Sequence, residues 1–553
     1  MLSTLRREPA AATLAVIAAA GIALVILYPF ASVLQEAILH EGGLDASPVT
    51  RVIANPVTRQ IVVNTLLMGV LAGLFGTILG LAFALATTRA ARGPLRTLLH
   101  YAALLPLIAP PFALALSTIF LFGRNGLISK QLFGLEVSPY GLGGLLFVQT
   151  ITFFPVAYLI FDALVRQMDP ALEEAALNLG ASRGRILRTV TLPLLRPGFA
   201  GAFLIIFVES LADLANPLLI GGDFNVLASS VYLAIIGEYD TRKAVGFAAV
   251  LLVPSLVAFF IQRLWVGEGS VVTVTGKPST GRVAMLESWI RAGLLGVTLF
   301  TTAIVASLYL AVVAGAFTKL LGINNTLTLD NFRFVLQGIG TKAMTDTTLL
   351  SAIAAPIAGV SGLLVAWLVV RSSLRGRIAF DYLVMLGAAA PGIVLGLGLL
   401  LAFNHPPFRL TGQTAIFGGA VVFIIAFIIR TAPVSLRGNV AALMQIDPAL
   451  EQASANLGAG EVTTFRRVTV PLVRRAVLSG VIFSFTRNMT TLSTVALLVT
   501  PSWRIMTSQI LNEIDAQRLG SGAAYSTILI VIVLVAIVAL QKLFGRTAVE
   551  VAA

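Results

Sequence analysis

Apolar residues run along this chain in blocks on the scale of a bilayer, without the alternation of an amphipathic surface. Blocks of about 20 residues that are apolar all round recur from one end to the other. Short segments that hold most of the charged residues separate them. The blocks predict twelve membrane-crossing helices, at about 11–34, 61–87, 98–122, 142–165, 198–220, 244–265, 292–315, 347–370, 379–403, 414–430, 477–499 and 522–541. Pro110–Pro111 and Pro391 fall inside the third helix of each group of six. Such prolines are read as kinks, tolerated where neighbours satisfy the freed carbonyls.

One polar island occurs twice. Residues 169–198 and 447–476 align without a gap at an offset of 278, with sixteen identities in thirty positions. A repeat of that length and spacing means two homologous halves, here 1–266 and 284–553, joined by the Gly/Ser/Thr-rich linker 267–283. Six spans in each half give both halves the same orientation, so the repeats are parallel. The expected fold is an all-α integral membrane protein of about twelve helices in two parallel, pseudo-twofold halves.

Composition agrees: 57% of residues are hydrophobic, 11% are charged, and the mean hydropathy is +0.94. No cysteine is present, which excludes disulfides, thiolate metal sites and cysteine nucleophiles. A net charge of +13 suggests nucleic acid until the charges are located. They cluster between apolar blocks, so membrane lipid and not nucleic acid is the expected surrounding. With the N-terminus inside, the inner segments hold 25 Lys and Arg, the outer ones 12, and Arg487 alone lies within a span. The positive-inside rule therefore puts both islands and both termini in the cytoplasm. Arg6 and Arg7 before an apolar block resemble the start of a signal peptide, but the block lacks a clear cleavage site and reads as an uncleaved first span.

Within the first island Asp169 precedes Pro170, an N-cap followed by proline at the first helical position, and Asp447–Pro448 repeats it. Each short helix ends at a glycine suited to the left-handed position, Gly180 or Gly458. A second short helix follows before Pro193 and Pro197, or Pro471, redirect the chain. Ala171, Ala175 and Ala176, with Ala449, Ala453 and Ser454, keep one face small. Physics alone leaves two readings open, a helix lying on the membrane surface or a docking element for another protein.

Glu173–Ala175 with Gly180 and Leu192–Pro193, and Glu451–Ala453 with Gly458 and Val470–Pro471, resemble the EAA signature of ATP-binding-cassette importer permeases. The second copy departs by reading Glu-Gln-Ala. The resemblance covers both halves and implies a type I importer permease fold, in which the islands dock into cytoplasmic ATPase subunits. It assigns Glu173, Ala175, Gly180, Glu451, Ala453 and Gly458 to ATPase coupling. It also implies two ATPase copies, an external substrate-binding protein and a bacterial inner-membrane location. No cofactor is expected in this chain, which lacks a G-x4-G-K-[ST] loop; ATP and Mg belong to the partner.

The span after the first island carries Glu209 and Asp213, spaced to share a helix face. The position 278 residues beyond Glu209 is Arg487. Buried charges of this kind mark functional sites by default, so Glu209, Asp213, Asn216 and Arg487 are the expected pathway or gate residues, with an inert structural ion pair as the alternative. Residues 207–222 and 487–503 resemble ferric-iron permeases with fused halves. Thiamine, polyamine, sulfate and aminophosphonate permeases belong to the same branch. Asp223, Tyr232, Glu238, Tyr239 and Asp240 are candidates for substrate hand-over, in the outer loops 221–243 and 500–521. Carboxylate and phenolate oxygens suit ferric iron, although solvated loop groups explain them as well. His40, His100 and His405 form no motif. An ion-coupled secondary transporter accounts for the buried charges but not for the duplicated island, and no acid/base or nucleophile spacing supports a membrane enzyme.

Overall fold

The computed structural model describes residues 9–40, 43–108, 110–266, 286–404, 409–410, 413–414 and 419–544. The expected linker 267–283 and His405 lie outside these residues. Among the described residues ten helices are long and apolar enough to cross a membrane, and two further bent helix pairs raise the number to twelve. Strand among the described residues is confined to three two-stranded antiparallel hairpins, pairing Leu39–His40 with Gly43–Leu44, Thr318–Leu320 with Asn324–Leu327, and Arg409–Leu410 with Gln413–Thr414.

Several expected spans are broken or shifted. The third of the first half is two helices, Gly93–Ile108 and Pro111–Phe122; its mate is Arg377–Ala389 and Gly392–Phe403, bent by 103°. Proline has no N–H and clashes with the preceding turn, so Pro110–Pro111 and Pro391 interrupt helices that a kink would have continued. The expected span 198–220 ends at Ala212, and 477–499 ends at Thr490. The expected span 414–430 is instead Ala420–Met444, which moves Arg430 from a cytoplasmic flank to the middle of a helix. The islands also leave differently. Arg183–Leu194 meets Arg196–Ala212 at 59°, whereas Glu461–Thr490 runs on as one helix. Pro471 alone does not redirect the chain; the first copy adds Pro197, whose missing N–H removes another ladder bond where the second has Arg475.

Within each half the second and fourth spans pack most closely, Pro56–Ala90 on Leu142–Gln167 and Ile339–Arg371 on Ala420–Met444. Glycine permits the approach. A Cβ at Gly80 would lie 2.5 Å from Ala157 Cβ and 2.6 Å from Tyr158 N; one at Gly362 would lie 2.8 Å from Ser435 Oγ and 2.9 Å from Leu436 N. Small residues at helix contacts supply the van der Waals packing that holds membrane helices together. Gly80→Val is expected to cost about 1–3 kcal/mol by overpacking, read as a fall in melting temperature of the purified protein; an unchanged melt would mean that the two helices separate freely here.

The halves exchange their first spans. Tyr28 donates to the Ala402 carbonyl of the second half at 3.2 Å, and Tyr309 donates to Leu105 of the first at 2.6 Å. One continuous buried core includes residues of both halves. Each second span also caps a short helix after the fifth span: Thr65 Oγ1 accepts from Leu227 N, and Thr347 Oγ1 from Met506 N, both at 2.8 Å.

Candidate functional site

The islands form the nine-residue helices Pro170–Asn178 and Pro448–Asn456. Asp169 Oδ1 accepts from Ala171 N and Asp447 Oδ1 from Ala449 N, each at 2.9 Å, which satisfies one free N–H at each helix start. The helices close at Gly180 and Gly458 with φ of +81° and +85°. Ala181 N bonds back to Ala176 O, and Ala459 N to Ser454 O. Next to each glycine stands a leucine held into solvent: Leu179 is 88% exposed and Leu457 89%. Leu172 and Leu450, one turn and more upstream, are each 50% exposed. Ala175 and Ala453 are exposed as well, so the small face is free, whereas Ala176 and Ser454 are half-buried.

Glu173 turns the other way. It is 3% exposed, forms an ion pair with the buried Arg89, and accepts from Thr191 Oγ1 at 3.0 Å. Glu451 pairs with Arg371 at 2.8 Å and accepts from Thr469 Oγ1 at 2.7 Å. Arg89 and Arg371 sit in the last turn of the second span of each half, and Arg371 also donates to Leu443 O and Ile446 O. Each glutamate therefore bolts its island to a span; Glu173 is buried in doing so, whereas Glu451 stays partly exposed. The first island carries one further brace: Glu287, just before the span Ser288–Ala316, accepts from Gly184 N at 2.9 Å and from Trp289 Nε1 at 2.9 Å. The Gly184 N–H beside it holds the Glu287 carboxyl below the usual range.

A second cluster lies where the fifth spans end. Arg487 Nη2 donates to Glu209 Oε2 at 3.0 Å, and Arg430 Nη2 stands 3.5 Å from both oxygens of the same carboxylate. Arg430 Nη1 also donates to Ala388 O and Ala390 O, at the break of the third span. Asp213 is not on the Glu209 face. The helix stops at Ala212, and Asp213 Oδ2 accepts from Gln149 Nε2 at 2.9 Å and Asn216 Nδ2 at 2.8 Å. Ser210 Oγ donates to Gln149 Oε1 at 2.5 Å. Asp213 and Asn216 thus fasten the break inside the first half, while Glu209 faces the second.

The outer candidates do not converge. Glu238 pairs with Lys243 at 2.6 Å, and Asp240 Oδ1 caps Lys243 N at 2.9 Å. Tyr239 is 87% exposed with φ of +56°. Tyr232 is half-buried on Leu227–Ile236. Asp223 lines a cavity of about 600 Å³ with Arg124 and Tyr140. Among the described residues no three His, Asp or Glu gather as metal ligands. His100 Nδ1 lies 2.5 Å from Tyr158 Oη, an internal packing contact.

Arg89, Arg371, Arg430, Leu179 and Leu457 escaped the sequence reading. The two arginines ending the second spans carried a signal, since each follows an apolar block in the same place in its half. Arg430 carried none, because it ends an apolar run just as a flanking residue does.

Ten to twelve membrane-length helices among the described residues, in two halves with an anchored knob at matching positions of each, define a multi-pass membrane permease. Residues 74–268 and 358–548 each match the model for the binding-protein-dependent transport system inner membrane component. The chain belongs to that family, as an ABC importer permease with its two halves fused. The ferric transport system permease protein FbpB of Actinobacillus pleuropneumoniae is 34% identical over 534 residues, covering 94% of this chain and 76% of its own. The Fe(3+)-transport system permease protein FbpB 2 of Haemophilus influenzae is 22% identical, covering 70% of this chain and 74% of its own. The sulfate transport system permease protein CysT of Salmonella typhimurium is 28% identical over 243 residues, covering 43% of this chain and 86% of its own.

Proposed function

We propose that this permease works with two copies of a cytoplasmic ATPase and an external binding protein, and moves ferric iron into the cytoplasm by alternating access. The observation that carries the coupling reading is the twofold arrangement of one exposed leucine beside a left-handed glycine, on a helix bolted to the second span by an Arg–Glu pair. A partner that grips the leucine and displaces the helix moves the bolted span with it. Both termini then lie in the cytoplasm with the islands, in line with the excess of Lys and Arg on that side. ATP and Mg remain on the partner. The ferric reading is supported by the names of the two relatives called ferric and Fe(3+) transport permeases.

Leu179→Arg together with Leu457→Arg is expected to abolish co-purification of an ATP-binding subunit, at unchanged expression and melting temperature, because both side chains are solvent-exposed in the permease alone. Retention of the subunit would sink the docking reading. Uptake in vesicles without ATP, driven by a proton gradient, would favour a secondary transporter instead. Titrating the binding protein with ferric iron, thiamine, polyamines, sulfate and aminophosphonates tests the cargo; indifference to ferric iron removes that assignment and leaves the importer standing.

A further inference from the structure

Resting on the importer reading and narrowing its cargo, we propose that the junction of Arg487, Arg430 and Glu209 receives an anion, so that what crosses this chain is an oxygen-rich anionic species. If ferric iron is carried, it crosses inside an anionic chelate.

Charge and access support this. Two guanidiniums share one carboxylate, and the Arg487 side chain is 38% exposed while Glu209 is 28% exposed. The protein therefore does not seal the pair, which sits near the far ends of the helices Arg196–Ala212 and Glu461–Thr490. Arg430, 8% exposed, is committed to Glu209 and to two carbonyls at the broken third span. Arg487 makes one hydrogen bond among the described residues, from Nη2, which leaves the N–H groups of Nε and Nη1, on opposite sides of the guanidinium, without a protein acceptor there. Guanidinium N–H groups of this kind suit carboxylate and phosphate oxygens.

The other groups at the junction add to the same sign. Pro391 caps the twelve-residue helix Gly392–Phe403 next to Ala390, whose carbonyl Arg430 holds, so the positive end of that helix lies within two residues of the cluster. Asp213, the remaining carboxylate, is 8% exposed and held by two amides within the first half. A bare trivalent cation entering here would face two arginines and one carboxylate, with no gathered set of ligands among the described residues to receive it. An anion meets unsatisfied donors.

The chain has no cysteine, so one engineered thiol reports the local potential. Phe483→Cys, one turn from Arg487 on the same half-exposed face, is labelled in membrane vesicles containing the full chain. Anionic sulfonatoethyl and cationic trimethylammonioethyl methanethiosulfonates are compared, each normalised to a free thiol. The anionic reagent is expected to react about tenfold faster or more, and Arg487→Gln in the same background to remove the preference. Protection then identifies the source. Slowing by ferric citrate but not by citrate or inorganic phosphate points to a ferric chelate. Equal slowing by citrate or phosphate alone points to a free oxyanion, which keeps the anion site and removes ferric iron. A preference for the cationic reagent, insensitivity to Arg487→Gln, no labelling by either reagent, or no protection by any of the three anions overturns the proposal.

Discussion

Glu173→Ala is expected to leave the protein inserted in the membrane but unable to couple ATP hydrolysis to uptake. The substitution strands Arg89, 5% exposed, without its counter-charge, and removes the acceptor of Thr191. Breaking a buried ion pair from one side costs about 3–5 kcal/mol. A helix of nine residues has little stability of its own with which to absorb that cost, so the island should detach from the second span. The expected readout is a lowered melting temperature together with uptake near background. Glu451→Ala should do less, about 1.5–3 kcal/mol, since both side chains of its pair are partly exposed and Arg371 keeps two carbonyl acceptors. Replacing both members of the first pair, Arg89→Leu with Glu173→Met, should recover much of the stability, because well-packed apolar groups often equal a buried ion pair. Wild-type melting and uptake in Glu173→Ala would show that the bolt carries no load.

The second large effect is expected at Glu209. Glu209→Gln leaves two guanidiniums facing each other, Arg430 buried and Arg487 partly exposed. The loss should fall toward the low end of about 3–5 kcal/mol, since solvent screens the Arg487 side, and uptake should collapse. Exchanging the charges, Glu209→Arg with Arg487→Glu, tests more than the pair. With two partners alone the exchange would restore uptake. With Arg430 within 3.5 Å of position 209, the new arginine meets a like charge and uptake should stay low. Adding Arg430→Gln to the exchange should bring part of it back. Full rescue by the double exchange alone would show that Arg430 stands outside the working cluster.

Most of the island geometry could be read from residue order, since caps and glycines act through their immediate neighbours. Asp169, Pro170 and Gly180 each impose a backbone state at their own position. The inward turn of Glu173 could not be read in this way. Its partner lies 84 residues away, and only the packing of the second span against the island brings the two together. Glu209 and Arg487 were paired by counting along the repeat, and the contact at 3.0 Å joins the same two residues. The third member was missed because a single arginine ends an apolar block equally well as a flank or as a buried charge. Asp213 was placed on the Glu209 face by assuming that the helix continued; the helix ends one residue earlier, and the side chain turns to Gln149.

The order of residues by itself determined the membrane class, the two parallel halves, the span count and the duplicated knobs. Each of these follows from local composition, from solvation of the backbone in lipid, or from direct comparison of one half with the other. Tertiary structure alone decided which half each first span joins, where the third and fifth spans break, and which charges meet. Those outcomes depend on contacts between residues hundreds of positions apart, where the energy of a buried charge or a close helix crossing is settled by whichever partner the fold delivers.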